Sequence, residues 1–317
     1  MKIRIALYGS NGHQQCDLLR EAHPLAEVVA VSGVSIPENP IVTPKIYASL
    51  DELLADPEID LVSLCSPNRA RQAEESIRCL KAGKHVLAEK PAALSEDDLD
   101  DILEAAQASG RSFREMGGTI FDATYWAMRQ IIQRGDLGEI VQAFAQKSYP
   151  YFPERPQDEA LDGGLFLQVG IHAARMIEHV CGLKISSLSR IETGLGNPKS
   201  GNLRMASAFQ GTLENGGIVS AIANYLNPRG TGHWGNETLR IFGTQGMIEA
   251  TDAGTRTRLI LGERDLGPIC GEPFGASYLT SYARHLLGQG AMPLSLEEEL
   301  HPLRAILRAR PLTGAHA

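Results

Sequence analysis

The sequence predicts an α/β fold with two domains, the first built on a parallel sheet and the second on a large, mostly antiparallel sheet. Its 317 residues correspond to about two domains of ordinary size. In the first third, short apolar runs rich in β-branched residues alternate with segments of helical period, a pattern typical of a doubly wound parallel sheet. The predicted strands are residues 3–8, 28–31, 61–65 and 86–88.

Two helices are predicted between and after these strands. Residues 68–82 have a helical period and end at Gly83, a residue suited to a helix C-terminus. Ser95 is suited to an N-cap, and the helix that follows it stops at Gly110.

The periodicity changes after residue 117, which divides the chain into predicted domains 1–117 and 118–317. A helix at 123–134 is followed by longer alternating segments, some joined by turn signals such as Glu214-Asn215-Gly216-Gly217. These predicted strands are residues 140–148, 186–192, 203–213, 217–225, 238–242 and 247–250. Two helical segments, 277–287 and 296–310, are candidates for packing back on the first domain, and 313–317 is expected to be a loose tail.

Composition excludes several classes of function. Thirty Lys and Arg against 38 Asp and Glu leave a net charge of −8, so no basic excess is available for nucleic acid. Five cysteines without a Cys-x-x-Cys pair disfavour a disulfide framework or a thiolate zinc site, and they suit a reducing compartment. No apolar run approaches the length of a membrane span or a signal segment. We therefore expect a cytoplasmic protein without nucleic-acid or membrane partners.

A glycine-rich turn follows the first predicted strand and reads Gly9-Ser10-Asn11-Gly12-His13-Gln14. In the Gly-x-Gly-x-x-Gly turn of dinucleotide-binding folds, backbone N–H groups at a helix start hold the pyrophosphate. Only Gly9 is in register here, since Asn11 and Gln14 occupy the other two positions. Two interpretations stay open, namely a dinucleotide-binding turn and an ordinary tight βα turn.

The end of the second strand bears on which dinucleotide is bound. It reads Ser32-Gly33 and lacks the acid that binds the ribose hydroxyls of NAD. Ser32 leaves room for the 2′-phosphate of NADP, but the nearest cation is Lys45 and no arginine follows. The choice between NAD and NADP stays open.

Several phrases occur in an order that carries a family resemblance. Ser66-Pro67-Asn68 follows the predicted strand 61–65, and Glu89-Lys90-Pro91 follows the predicted strand 86–88. The phrases 134–140 and 163–166 follow, and then His172. In these features the chain resembles the Gfo/Idh/MocA family of NAD(P)-dependent oxidoreductases, whose hallmark is Glu-Lys-Pro at the end of the fifth strand. The resemblance thins beyond about residue 200.

The resemblance implies a Rossmann domain, a second domain with an open sheet, sugar- or polyol-like substrates, and homodimers or homotetramers formed through that sheet. NAD or NADP is the implied cofactor. The candidate cofactor-binding residues are Gly9, Ser10, Asn11, Gly12, His13, Ser32, Ser66, Pro67, Asn68, Glu89 and Lys90.

Lys90 is the first candidate catalytic residue. A lysine at the carboxyl edge of a parallel sheet lies where ligands of doubly wound folds bind, and there it could exchange a proton with a substrate hydroxyl. The alternative is an exposed lysine in a loop, which is the usual state of lysine.

His172 is the second catalytic candidate, and it departs from the family's Asp-x-Gly-x-His-x-x-Asp pattern. Gln168 and Arg175 stand where the two carboxylates are expected. Gln168 can hydrogen-bond a substrate hydroxyl but cannot take its proton. His179 shares a helix face with His172, but the cation of Arg175 between them argues against a metal site.

These residues lead to three hypotheses. The first is an NAD(P)-dependent oxidoreductase that transfers a hydride between nicotinamide and a secondary alcohol or ketone of a polyol-like substrate. The second is a dinucleotide-binding sensor of the same fold that has lost catalysis, and the third is a redox-neutral elimination or hydrolysis. The segment 147–153, which is rich in aromatic residues and proline, could be a stacking wall for a sugar, a subunit contact or ordinary loop packing.

Overall fold

The computed structural model describes residues 1–272 and 274–312, and the chain divides into two compact units. The first comprises Met1–Gly117 and Ala276–Leu296, and the second comprises Gly118–Gly275 and Glu297–Ala317. Of the two predicted C-terminal helices, the earlier therefore belongs to the first unit and the later to the second. The predicted tail, residues 313–317, lies outside the described residues.

The first unit contains a six-stranded parallel sheet, which confirms the predicted doubly wound fold. Its order, β3-β2-β1-β4-β5-β6, reverses direction between β1 and β4. In such sheets ligands bind outside the carboxyl ends of the strands at the point of reversal. The strands are β1 Ile3–Tyr8, β2 Ala26–Ser32, β3 Lys45–Ile46, β4 Leu61–Leu64, β5 His85–Ala88 and β6 Phe113–Glu115.

Helix α3 (Glu96–Ser109) begins and ends at the capping residues that the sequence predicts, Ser95 and Gly110. Ser95 caps its helix by accepting a hydrogen bond from the N–H of Asp98 at 3.1 Å, and Gly110 closes the same helix with φ of 63°. Among the described residues the α-helices are α1 Leu50–Leu54, α2 Gln72–Lys81, α3 Glu96–Ser109, α4 Ala123–Gln133, α5 Ile171–Cys181, α6 Tyr278–Leu286 and α7 Leu296–Leu307. None of them is long and apolar enough to cross a membrane.

The connection from β1 to β2 differs from the expected one. No α-helix follows the glycine-rich turn, and the connection contains a single turn of 3-10 helix, Cys16–Leu19. The expected α-helix start for the pyrophosphate is therefore not present in this connection. A 3-10 turn of four residues lacks the aligned peptide dipoles that make a long helix an anion site.

One hydrophobic cluster of the first unit joins the sheet to α6. Leu7 and Val31 pack in one cluster with Leu279 and Tyr282 of α6. The Tyr282 hydroxyl donates to the carbonyl oxygen of Val86, at 3.1 Å. This hydroxyl is buried but paired, so the tyrosine adds apolar area to the core without an unsatisfied polar group.

The second unit is built on a nine-stranded, mostly antiparallel sheet, as predicted. The order is β14-β13-β12-β11-β7-β10-β9-β8-β15, and the pairs β7–β10 and β8–β15 are parallel. Helix α5 is buried along almost its whole length. The strands are β7 Ile140–Ser148, β8 Ile185–Thr193, β9 Ala206–Leu213, β10 Ile218–Asn224, β11 Thr238–Gly243, β12 Gly246–Thr251, β13 Arg256–Leu261, β14 Arg264–Gly267 and β15 Arg310–Pro311.

Candidate functional site

The glycine-rich turn lies at the carboxyl end of β1 and is held against the neighbouring strands. The N–H of Gly9 donates to the carbonyl oxygen of Ser32 at 2.8 Å. Gly9 has φ of +70°, and a Cβ atom at this position would overlap the carbonyl oxygen of Cys65. Glycine is therefore required here both for its conformation and for the close approach of two strand ends.

Gln14 explains how the turn works without a third glycine. Its side-chain amide donates to the carbonyl oxygens of Gly9 and Ser63, both at 2.9 Å. Its carbonyl oxygen accepts from the Ser63 hydroxyl. A glycine at this position would allow a helix to pack closely on the strand. No α-helix is present, and the glutamine side chain instead joins the ends of β1 and β4.

The carboxylate of Glu89 binds the same turn from the end of β5. It accepts from the backbone N–H of His13 at 2.8 Å and lies 3.2 Å from Nδ1 of the same residue. A Cβ atom on Gly12 would lie only 2.5 Å from the Glu89 Cγ. Burial alone would raise the pKa of Glu89, but hydrogen bonds from His13 and the charge of Lys90 lower it to about 2. Glu89 is therefore a buried anion whose charge is stabilised by the turn.

Gln72, at the start of α2, connects the Glu89–Pro91 segment to the turn after β4. Its side-chain amide donates to the carbonyl oxygens of Glu89 (2.5 Å) and Pro91 (2.9 Å). Its carbonyl oxygen accepts from the N–H of Ser66 and from the Arg69 guanidinium. Sequence reasoning missed Gln72. The available signal was a polar residue at the start of a helix that follows a strand-end turn.

Arg69 was also missed, and it extends this network to the glycine-rich turn. Its guanidinium donates to the carbonyl oxygen of Asn11 at 2.6 Å, across 58 positions of sequence. Asn68 caps the short helix before α2 by accepting from the N–H of Ala70. The structure thus brings together, within the first unit, most of the residues predicted to bind the cofactor.

Lys90 follows β5 directly and is 5% exposed. The alternative of an exposed loop lysine is therefore wrong. The Lys90–Pro91 peptide bond is cis. Since a buried ammonium group is seldom found without a structural or chemical purpose, this lysine is the strongest candidate for a functional role in the first unit.

The end of β2 does not provide a cation for a 2′-phosphate. Lys45 lies on β3, and its ammonium group contacts the carboxylate of Asp56 at 2.9 Å. The hydroxyl of Tyr47 donates to the same carboxylate at 2.7 Å. Hydrogen bonds from Tyr47 and Lys45 lower the pKa of Asp56 to about 2. Lys45 is thus already paired with a carboxylate, and Ser32 is buried at the strand end.

His172 lies in the second unit, in the first turn of α5 and directly after a turn of π-helix, Phe166–Gly170. Its Nε2 atom is 3.0 Å from the hydroxyl oxygen of Tyr149, a hydrogen-bonding distance. Tyr149 follows β7 and is 7% exposed. Sequence reasoning did not assign Tyr149 this role, although the residue belongs to the aromatic segment 147–153.

The other polar residues of this helix are bound locally. Gln168, in the π-helical turn, donates from its side chain to the carbonyl oxygen of Asp162 at 2.5 Å. The His179 ring nitrogen lies 3.1 Å from the carbonyl oxygen of Glu298. Burial and the nearby Arg175 lower the pKa of His179 to about 3, so this imidazole is neutral at physiological pH. Among residues 1–272 and 274–312, no cluster of three or more His, Cys, Asp or Glu residues is arranged to hold a metal ion.

Three rings, Tyr149, Phe152 and Trp234, form what we call the aromatic platform. The Phe152 and Trp234 rings are stacked, with centroids 4.9 Å apart and an interplanar angle of 27°. The Trp234 centroid is 5.8 Å from that of Tyr149. Tyr149 therefore links His172 on one side to an exposed aromatic surface on the other.

Comparison with known proteins assigns both units to one family. A family model described as an oxidoreductase family with an NAD-binding Rossmann fold matches residues 3–115. A second model, the GFO/IDH/MocA C-terminal domain, matches residues 125–249. The chain belongs to the Gfo/Idh/MocA family of oxidoreductases. This finding confirms the predicted family and the predicted class of cofactor.

Individual relatives of this Gfo/Idh/MocA protein are distant in sequence but alike in fold. Trans-1,2-dihydrobenzene-1,2-diol dehydrogenase of Sus scrofa is 29% identical over 265 residues, which is 78% of this chain and 74% of the relative. A solved structure from Thermotoga maritima has a TM-score of 0.83 and 24% identity, and covers 97% of this chain and 96% of its own. Aldose-aldose oxidoreductase of Caulobacter crescentus, solved with glycerol, has a TM-score of 0.80 and 21% identity, and the coverages are 98% and 97%. At these identities the two solved structures show the fold alone.

Proposed function

We propose that this protein transfers a hydride between NAD or NADP and a secondary alcohol or ketone of a sugar- or polyol-like substrate. The observation that carries the proposal is the buried Lys90 at the carboxyl end of β5, inside the region that matches an NAD-binding family model. The names of two similar proteins support the substrate class, since one is a diol dehydrogenase and the other an aldose-aldose oxidoreductase.

The glycine-rich turn is suited to a dinucleotide even without a following α-helix. Ser10 and Asn11 are exposed, whereas Gly9 and Gly12 have positive φ and leave no room for a side chain. The N–H groups of Ser10 and Asn11 would face the phosphates, and Arg69 would stabilise the turn through its bond to Asn11. When bound, the nicotinamide supplies the hydride chemistry. Ser32, Ser66, Pro67 and Asn68 would line the rest of the site.

Proton transfer is assigned to side chains. Lys90 would exchange a proton with the substrate hydroxyl while Glu89 keeps the local charge balanced. His172 would act as a base or a hydrogen-bonding partner, with Tyr149 as the neutral group that orients its ring. Gln168 would contact a further substrate hydroxyl. In this assignment no role is given to the two carboxylates that the family pattern places around the histidine, because Gln168 and Arg175 occupy those positions.

The direct test is steady-state turnover of a polyol panel with NAD and with NADP, comparing the wild type with Lys90→Ala. We expect Lys90→Ala to lower kcat by at least about 100-fold, in the range typical for loss of a proton-transferring group. Lys81→Ala, at an exposed position at the end of α2, is the matched control. Equal turnover by wild type and Lys90→Ala would overturn the role of Lys90.

A second candidate function is a dinucleotide-binding sensor without turnover. The observation that favours it is the chemistry around His172, where neither Gln168 nor Arg175 can accept a proton. Calorimetric titration with NADH and NADPH separates the hypotheses when it is combined with the polyol panel. Tight binding without turnover of any polyol, aldehyde or hydroxy acid would favour the sensor.

We also propose that the nine-stranded sheet forms a homo-oligomer. Ile218 and Phe242 flank Gln142 in register on neighbouring strands, and they are 52% and 38% exposed. Exposed apolar side chains on a sheet face are suited to an interface. Light scattering after size-exclusion chromatography should report a dimer or tetramer that Ile218→Lys dissociates. A monomeric wild-type protein would overturn this part.

A further inference from the structure

The aromatic platform in the second unit is exposed at Trp234, and the backbone of this residue is held in place. Trp234 is 57% exposed, although a side chain of this size is usually covered. Asn227, which is 5% exposed, donates from its side chain to the carbonyl oxygens of His233 (2.7 Å) and Trp234 (3.1 Å). The backbone that carries the tryptophan is therefore fixed by a buried amide, and the ring is presented in a defined position.

Two arginines lie over the rings beside this platform. The guanidinium carbon of Arg155 is 3.8 Å from the ring centroid of Tyr225 and 5.9 Å from that of Phe152. Arg229 reaches Phe152 from its own loop, at 5.6 Å. A guanidinium stacked on an aromatic face keeps its N–H groups free at the edge, where they match the geometry of an oxyanion.

These two arginines have no acidic partner within residues 1–272 and 274–312. Two other arginines of the second unit do have such partners, Arg134 with Asp136 at 2.7 Å and Arg258 with Asp265 at 2.7 Å. The Nε atom of Arg155 is also buried without a hydrogen-bond acceptor. An unsatisfied buried donor is destabilising, and an acceptor supplied by a ligand would remove that penalty.

Two acids act on Tyr225 by their charge, Asp162 and Glu159, and both accept backbone hydrogen bonds, Asp162 from the N–H of Gly164 at 3.0 Å. Glu159, whose charge acts on Tyr225, accepts hydrogen bonds from the backbone N–H groups of Leu165 at 3.2 Å and Arg204 at 2.9 Å. Within residues 1–272 and 274–312, neither Arg155 nor Arg229 forms an ion pair, and the negative charges that act on Tyr225 come from Asp162 and Glu159.

We propose that the platform binds the ring of the substrate and that Arg155 and Arg229 bind an oxyanion on that ring. The inference rests on the proposed oxidoreductase function and narrows its substrate class to sugar-like rings that carry a carboxylate or a phosphate. Tyr149 lies next to Trp234 within the platform and is hydrogen-bonded to His172, so a ring stacked on Trp234 would lie near His172.

The test measures binding to the full-length protein, with and without NADH. Trp126→Phe leaves Trp234 as the sole tryptophan, since the chain has two, and its fluorescence then reports the platform. Titrations compare glucuronate, galacturonate and glucose 6-phosphate with glucose, galactose and myo-inositol. We expect the charged sugars to quench Trp234 with at least tenfold higher affinity than the neutral ones. The carboxylate and phosphate arms show which oxyanion is preferred.

Substitution of the arginines makes the test specific. Arg155→Gln and Arg229→Gln should each weaken binding of the charged sugars by about tenfold or more and leave the neutral sugars unchanged. Arg229 is exposed, so its substitution keeps the fold even if that of Arg155 does not. Arg264→Gln, at an exposed strand position, is the matched control.

Two results would overturn the inference. One is equal affinity for charged and neutral sugars, and the other is unchanged binding of charged sugars by Arg229→Gln. The proposed function is judged separately by turnover of the polyol panel, so neutral polyols oxidised without charged-sugar binding would reject this inference alone. Binding of charged sugars, with no turnover of any substrate in the presence of NAD or NADP, would instead reject the oxidoreductase reaction and support the anion site.

Discussion

Glu89→Gln is the perturbation that tests most directly how the Glu89–Pro91 segment is held to the glycine-rich turn. The carboxylate is 1% exposed and bonded to His13 through both of its oxygens. Its pKa falls from the ordinary 4.5 to about 2. At about 1.4 kcal/mol per pKa unit, this difference corresponds to about 3 kcal/mol of stability that only the ionised side chain provides.

The dependence on pH follows from the direction of the change in pKa. The folded-state pKa is lower than the unfolded one, so the stabilisation is complete above about pH 4.5 and is lost as the pH falls toward about 2. Glutamine has nearly the same shape as glutamate and, like the protonated acid, carries no charge. We therefore expect Glu89→Gln to destabilise the first unit by about 3 kcal/mol at pH 7 and to converge with the wild type in strong acid.

The measurement must report the first unit specifically. Both tryptophans, Trp126 and Trp234, lie in the second unit, so tryptophan fluorescence is unsuitable. Hydrogen exchange of the peptides that contain β4 and β5, together with urea unfolding followed by circular dichroism, reports the relevant strands. Glu104→Gln, at an exposed position on α3, is the matched control. A Glu89→Gln protein within 1 kcal/mol of the wild type at pH 7 would refute the reasoning.

Three further predictions follow from the same geometry. Gly9→Ala should destabilise the first unit by about 2 kcal/mol or more, because position 9 has a positive φ and an added Cβ would overlap the carbonyl oxygen of Cys65. The substitution should also abolish NADH binding in calorimetry, and unchanged binding would contradict the prediction. His179 is neutral in the folded protein, so the free energy of unfolding should fall by about 1.4 kcal/mol for each unit by which the pH is lowered from about 6.5 to about 3. Urea titrations of His179→Gln should lack this pH dependence. Tyr149→Phe should lower kcat by about tenfold or more and shift the pH profile of kcat, with little change in KM, because His172 loses its hydrogen bond to the Tyr149 hydroxyl. An unchanged pH profile would count against a role for this hydrogen bond.

The elements that the sequence predicts well are those whose burial or capping is local. Residues 3–8 were predicted as a strand and form β1 with the same bounds, because the apolar run of a strand buried on both faces is visible in sequence. The N-cap at Ser95 and the left-handed Gly110 are likewise read from residue type. The missing α-helix after β1 is different. Its absence is seen only in the fold, where the Gln14 side chain bonds to the ends of two strands.

The candidate site divides in the same way. Lys90 and His172 are found through sequence phrases, whereas Arg69, Gln72 and Tyr149 take their roles from contacts between residues far apart in the chain. Gln72 meets Pro91 across 19 positions, and Tyr149 meets His172 across 23. A polar side chain at a helix start has many possible partners, and only the tertiary fold decides which strand end it joins.

The charges around His172 and the aromatic platform support one interpretation of the second unit. The family pattern surrounds the histidine with carboxylates, which stabilise an imidazolium. Here Gln168 and Arg175 occupy those positions, and the Tyr149 hydroxyl is at hydrogen-bonding distance from the ring. Acids at these positions would also repel an anionic substrate. The proposed site, in which the substrate itself supplies the negative charge, accounts both for the absence of these two carboxylates and for Arg155 and Arg229, which form no ion pair within residues 1–272 and 274–312.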